Sequence, residues 1–127
     1  MRFSFTILGE PASKSNSRRL VMFGRGPKAR PAIIKSAKAL NYVESFRWQC
    51  PRPTRMLEGD LAVSLIIFYA SRRPDPISGI EIVLDAMQNL LYANDRQVKR
   101  LLFDWGLDPA RPRAEITIGP LQGELAV

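Results

Sequence analysis

The chain of 127 residues carries 19 Lys and Arg against 12 Asp and Glu, for a formal net charge of +7, with 46% hydrophobic and 24% charged residues. Such a length fits one domain that buries roughly two-thirds of its unfolded surface, and the composition excludes a disordered chain. Histidine is absent and Cys50 is the single cysteine, which excludes an internal disulfide, multi-thiolate or His-ligated zinc, Ser-His or Cys-His nucleophile pairs and an imidazole base. Chemistry at neutral pH is left to carboxylates, lysines, hydroxyls or a bound hard cation.

The first predicted element is a half-buried strand, "RFSFTIL" (2–8), in which Phe3, Phe5 and Ile7 alternate with Arg2, Ser4 and Thr6. The loop "GEPASKSNS" follows. "RLVMF" (19–23) and "PAIIK" (31–35) are predicted to form a short hairpin around the Gly- and Arg-rich "GRGPKAR". Within residues 1–38, Arg2, Lys14, Arg18, Arg19, Arg25, Lys28, Arg30, Lys35 and Lys38 face a single acid, Glu10. A segment so charged suits phosphate neutralisation, and nucleic acid is its expected partner. "FGRGPK" lacks the Lys-Ser/Thr ending of a nucleotide-binding loop.

"SAKALNYVESFRWQ" (36–49) is predicted to be a helix burying Ala39, Tyr42, Val43 and Phe46, stopped by Pro51 and Pro53. "DLAVSLIIFYA" (60–70) is the clearest strand. Leu61, Val63, Leu65 and Ile67 lie on one side and Ala62, Ile66 and Phe68 on the other, so it is expected to be central and covered on both faces. A second helix is expected from Gly79 to Leu90 or Leu91, with Ile80, Val83, Leu84, Met87 and Leu91 as its apolar stripe and Glu81, Asp85 and Gln88 opposite. "YANDRQ" (92–97) reads as a turn. "VKRLLFDW" (98–105) and "RAEITIG" (113–119) read as antiparallel strands joined by "GLDPARP". Trp48 and Trp105 are read as core residues, with stacking platforms as the alternative. The sum is one α+β domain over 1–127, with a mixed sheet, two main helices and a loose tail at 120–127. No apolar run is long enough for a bilayer, and "MRFSFTILGE" lacks a signal-peptide layout, so a cytoplasmic protein without a membrane partner is expected.

"RRPDPISGIEIVLDAM" (72–87) places Asp75, Glu81 and Asp85 close together behind two arginines. One reading is structural: Ser78 as N-cap and Glu81 at N3 make a capping box, with Ile77 and Ile82 as its hydrophobic staple. The other is a metal site. Asp75 sits between Pro74 and Pro76, Asp85 lies one turn beyond Glu81, and Asp95 sits in the next turn. Carboxylates of this kind suit Mg²⁺, which takes hard oxygen ligands, water and phosphate. Flanking Arg72, Arg73, Arg96 and Arg100 would hold a phosphate backbone.

These stretches, in order, resemble the RusA-type Holliday-junction resolvases of phages and prophages. "GEPASKSNSRR" is similar to that family's basic loop after an opening strand. "LAVSLIIFYA" leads directly into "SRRPD", and "LDAM" is followed by "LYANDRQV", similar to an aromatic, acidic, Asp-Gln pattern. The resemblance covers roughly residues 3–118. It implies a homodimer that binds four-way DNA junctions and nicks them with Mg²⁺ or Mn²⁺ in recombination and repair. Asp75 matches the first aspartate of a D-x-D-N motif, Asp85 the helical acid and Asp95 the second aspartate of a later pair. Asp75 and Asp95 are then the implied ligands, with Asp85 and Glu81 as ligands or supports, and Lys14, Arg18, Arg19, Arg72 and Arg73 as backbone contacts. Ile77, Ser78, Glu81 and Asn94 stand where the family has aspartate, asparagine, lysine and an acid. That leaves a second expectation, a catalytically impaired junction- or nucleic-acid-binding protein of the same fold that cuts poorly or not at all.

Overall fold

Alternation of apolar and polar residues gives β1 (Phe3–Leu8), β4 (Leu61–Tyr69), β5 (Val98–Leu107) and β6 (Arg113–Pro120). The computed structural model describes residues 2–12, 18–23, 26–28 and 30–121, with 18–23, 28 and 30–35 at the level of the backbone. These four strands form one mixed sheet in the order β1-β6-β4-β5. β6 runs antiparallel to both β1 and β4, with Phe5 opposite Ile116 and Leu65 opposite the same residue. β4 and β5 are parallel, with Leu65 opposite Phe103. A parallel pair requires a crossover, and α2 (Ile80–Met87) supplies it. β2 (Arg18–Phe23) and β3 (Arg30–Lys35) form a separate antiparallel hairpin, with Val21 opposite Ala32. This is the α+β domain expected of the sequence.

One face of the sheet carries Ile7, Leu61, Val63, Leu65, Ile67, Tyr69, Ala114, Ile116 and Ile118, all buried. Against it α1 (Ala37–Gln49) packs Ala39, Tyr42, Val43 and Phe46, the four residues its periodicity predicted. The Phe46 ring meets Phe5 and Tyr42 edge to face, with centroids 6.4 and 6.1 Å away. Ser36 caps α1, its hydroxyl accepting from the Ala39 N–H at 3.2 Å. At the other end Gln49 clasps β1: its Oε1 accepts from Leu8 N–H at 2.7 Å and its Nε2 donates to Leu8 O at 3.1 Å.

Four expectations are corrected. β4 is interior, but its second face is not covered by the described residues: Ser64 is exposed and Ala62, Ile66 and Phe68 are half-buried. β5 and β6 run in opposite directions without pairing, because β4 lies between them. α2 stops at Met87 rather than at 90 or 91. Gln88 is extended there and Asn89 takes φ 69°, a left-handed position that asparagine tolerates, with its N–H donating to Tyr92 O at 2.6 Å. β6 takes in Pro120, and Leu121 N–H donates to Asp60 O at 2.9 Å, so the first two residues of the supposed tail are paired. Residues 122–127 lie outside the described residues. On the open face Arg113 lies 4.0 Å over the Phe68 ring and bridges Asp108 at 2.7 Å and Glu115 at 2.9 Å. Its guanidinium holds the Asp108 carboxyl below the usual range.

Cys50, the α1 C-cap, is buried, and that burial pushes its thiol up to about 11 against a smaller opposing effect of Arg52. Thiolate therefore appears only as the pH approaches that value. Alkylation by iodoacetamide at neutral to mildly alkaline pH should run roughly 100-fold slower in the folded protein than in urea, because the reactive thiolate is that much scarcer. Equal rates in the two states would contradict this environment.

Candidate functional site

Two loops meet where β4 ends. Ala70 N–H donates to Glu10 Oε1 at 2.8 Å, tying the turn after β1 to the turn after β4. Pro11 and Ala12 are buried behind it. Tyr69, also buried, donates its hydroxyl proton to Pro76 O at 2.6 Å. Gly79 is wedged between these parts: a Cβ there would lie 3.0 Å from Pro11 Cβ, 3.0 Å from the Tyr69 hydroxyl and 3.2 Å from Ile67 Cδ1. Only glycine leaves the room.

Asp75 opens a one-turn 3-10 segment, Pro76–Gly79, that runs straight into α2. Its carboxylate accepts from Ile77 N–H at 3.2 Å, and its carbonyl accepts from the Ser78 hydroxyl at 2.6 Å and the Ser78 N–H at 3.0 Å. This overturns the expected capping box. Proline after Asp75 starts the turn three residues early, the Ser78 hydroxyl bonds backwards, and Gly79 precedes α2 without a side-chain cap. The staple is missing too, since Ile77 is 62% exposed while Ile82 is buried. Glu81 lies exposed in the first turn of α2, where the helix end favours an acid.

Beyond α2 a second turn holds Asp95, and here the box-like capping does occur. Asn94 Oδ1 accepts from Arg96 N–H at 2.9 Å, and Gln97 Oε1 accepts from the Ala93 and Asn94 N–H groups at 3.1 Å each. Gln97 Nε2 donates to Leu57 O and Gly59 O, both at 3.1 Å. Asp95 N–H donates to Gln88 Oε1 at 3.0 Å. The buried Tyr92 sends its hydroxyl back to Leu84 O at 2.5 Å, one residue before the half-buried Asp85.

The acids are sorted by these two phenols. Tyr69 is raised above the usual tyrosine range by burial, lowered in part by bonds to the Gly79 backbone and Ser78, and raised further by Glu10 and Asp75. Tyr92 is raised by burial, then by Asp95 and Asp85. Glu10 and Asp75 thus lie within electrostatic reach of Tyr69, and Asp95 and Asp85 within reach of Tyr92, while Asp75 and Asp95 are not brought to one hydroxyl. Glu10 has no place among the acids expected from the sequence; it lies 65 positions from Asp75 and reaches the end of β4 through the fold, where it accepts from Ala70 N–H beside Tyr69. The sole local signal was a carboxylate in the turn directly after a predicted strand. Among the described residues no three His, Cys, Asp or Glu side chains gather closely enough to hold a metal ion. Either pair still supplies the one or two carboxylates with which Mg²⁺ is ordinarily held beside water and phosphate.

The basic residues divide likewise. Arg73 and Arg96 are exposed on the Asp75 and Asp95 turns. Arg72 stacks its guanidinium 5.2 Å from the half-buried Trp105 ring. Arg100 lines a depression on the helix-free face with Arg2, Leu102 and Thr117. Lys14 lies outside the described residues, and Arg18 and Arg19 are placed by backbone alone in β2. No helix among the described residues is long and apolar enough to cross a membrane. No model of a known protein family matches the chain, and no curated protein matches it.

Gly79→Ala should cost about 1–3 kcal/mol in a urea melt, since the added carbon must displace two packed loops or a core tyrosine. Gln97→Ala removes partners from two amides and two carbonyls, and should cost about 2–3 kcal/mol. Hydrogen exchange at Ala93 and Asn94 should accelerate with it; unchanged exchange there would show that water replaces the amide without loss.

Proposed function

We propose that the chain is a RusA-like, metal-dependent endodeoxyribonuclease that resolves four-way DNA junctions in recombination and repair, as a cytoplasmic homodimer. The observation that supports this best is the lock between the two loops at Tyr69. Through it Glu10 and Asp75 share one surroundings, at the point where the chain enters the sequence containing Lys14, Arg18 and Arg19. A phosphate drawn to that basic segment meets carboxylates at its root. Asp75 with Glu10, or Asp95 with Asp85, would hold Mg²⁺ or Mn²⁺. Such a cation, when bound, supplies water activation and charge stabilisation at the leaving oxygen.

The protein's own groups do the rest. The two turns lie at opposite ends of β4, so Arg73 beside Asp75, or Arg96 beside Asp95, holds the phosphate next to the scissile bond, and the short 3-10 turn orients Asp75 through the Ile77 N–H. Water oxygen forms the new bond to phosphorus as the bond to the leaving oxygen breaks. A carboxylate takes the water proton, the role left open by the absence of histidine.

A second reading has its own support. No three acids gather among the described residues, and exposed Ile77 stands at a motif carboxylate position. In this reading the protein binds junctions and leaves them intact. Cleavage of a labelled four-way junction beside a matched duplex, with Mg²⁺ and with Mn²⁺, separates the two. The nuclease reading expects junction-selective nicks that fall roughly 100-fold or more in one of Asp75→Asn and Asp95→Asn, the one that removes the metal's carboxylate. Junction binding without nicks, equal in wild type and variants, would leave the binding protein standing.

A further inference from the structure

The outward side of α1 carries a feature that the acidic turns do not use. Leu40, Glu44 and Trp48 follow one another at four-residue spacing, so they form one stripe along the helix. Trp48 is 82% exposed and Leu40 53% exposed. Trp48 is not the core residue expected of it: the buried set Ala39, Tyr42, Val43 and Phe46 turns position 48 outward. With Val43, Arg47 and Arg52 the stripe lines an open cleft of about 340 Å³. Arg52 folds back to donate from Nη2 to Arg47 O at 3.1 Å. That uses one of its five donors and keeps Arg52 lining the same cleft as Trp48.

We infer that Trp48, Leu40, Arg47 and Arg52 form a stacking platform for an unpaired DNA base, on a surface separate from the acidic turns. The inference rests on the DNA reading above. An exposed indole face takes any base, and adjoining guanidiniums hold the phosphates on either side of it. Charge selects this occupant. Two arginines in the cleft outnumber Glu44 on a chain of net charge +7, whereas a second copy seated on the stripe would bring like charges together. Trp105 offers no rival platform, being half-buried beneath Arg72.

The test pairs fluorescence anisotropy of labelled DNA with the protein's own tryptophan emission. The DNA probes are a short single strand, its duplex and a four-way junction. Trp48→Ala, an exposed change, should leave the melting curve intact and weaken single-strand and junction binding about tenfold. Duplex binding should change less than about twofold, and Trp48→Phe should retain most of the affinity. Quenching of wild-type emission by the single strand should vanish in Trp48→Phe. If DNA binds with the same affinity in Trp48→Ala and the single strand leaves wild-type emission unquenched, the platform is overturned and the DNA reading survives. If wild type binds no DNA at low salt, both fall. Emission that shifts with protein concentration alone would assign the stripe to a second copy and overturn the platform.

Discussion

Strand β4 is hydrogen-bonded along both edges, antiparallel to β6 and parallel to β5, and the four-stranded sheet is built outward from it. Five of its nine residues, Leu61, Val63, Leu65, Ile67 and Tyr69, are buried against the helices. At about 1.5–3 kcal/mol for each large apolar side chain, that column alone is comparable with the net stability of a domain. The parallel neighbour forces the crossover, so α2 must pass over the sheet between β4 and β5. The turns holding Asp75 and Asp95 are therefore the entrance and exit of that crossover.

Two phenols then fix what the crossover carries. Tyr69 and Tyr92 bury their rings in the core and spend their protons on Pro76 and Leu84 carbonyls. Unpaired, such buried hydroxyls would each cost roughly 1–3 kcal/mol, so each ring pins one stretch of the α2 segment. Burial first, and the nearby acids after it, raise both phenols above the usual tyrosine range. Carboxylate placement here follows from core packing and backbone hydrogen bonds.

Much of this was legible in the residues themselves. Period-two alternation marked β1 and β4, and the 3.6-residue period named all four buried residues of α1. Strand order was not legible, because the patterns of β5 and β6 do not say which neighbour each will take. The end of α2 depended on one left-handed asparagine inside a sequence that still looks helical. "SGIE" fits a capping box as a string; what defeated it was Pro76, which began a tighter turn upstream. Four candidate acids were named from their sequence neighbourhood, while Glu10, the other acid near Tyr69, came from the far end of the chain. The α1 periodicity already implied an outward Trp48, and general preference for buried tryptophan overrode it.

The clasp between Gln49 and Leu8 has an effect on the sheet as a whole. β1 is an edge strand, and an edge presents unpaired N–H and C=O groups to any passing chain. The Gln49 amide has the same donor and acceptor as a peptide unit, and it occupies both groups of Leu8. The helix end thus acts as a counterfeit neighbouring strand of a single residue. An incoming strand cannot run the length of β1 without first displacing it, so this margin of the sheet is shielded at Leu8 from extension into a larger β-assembly.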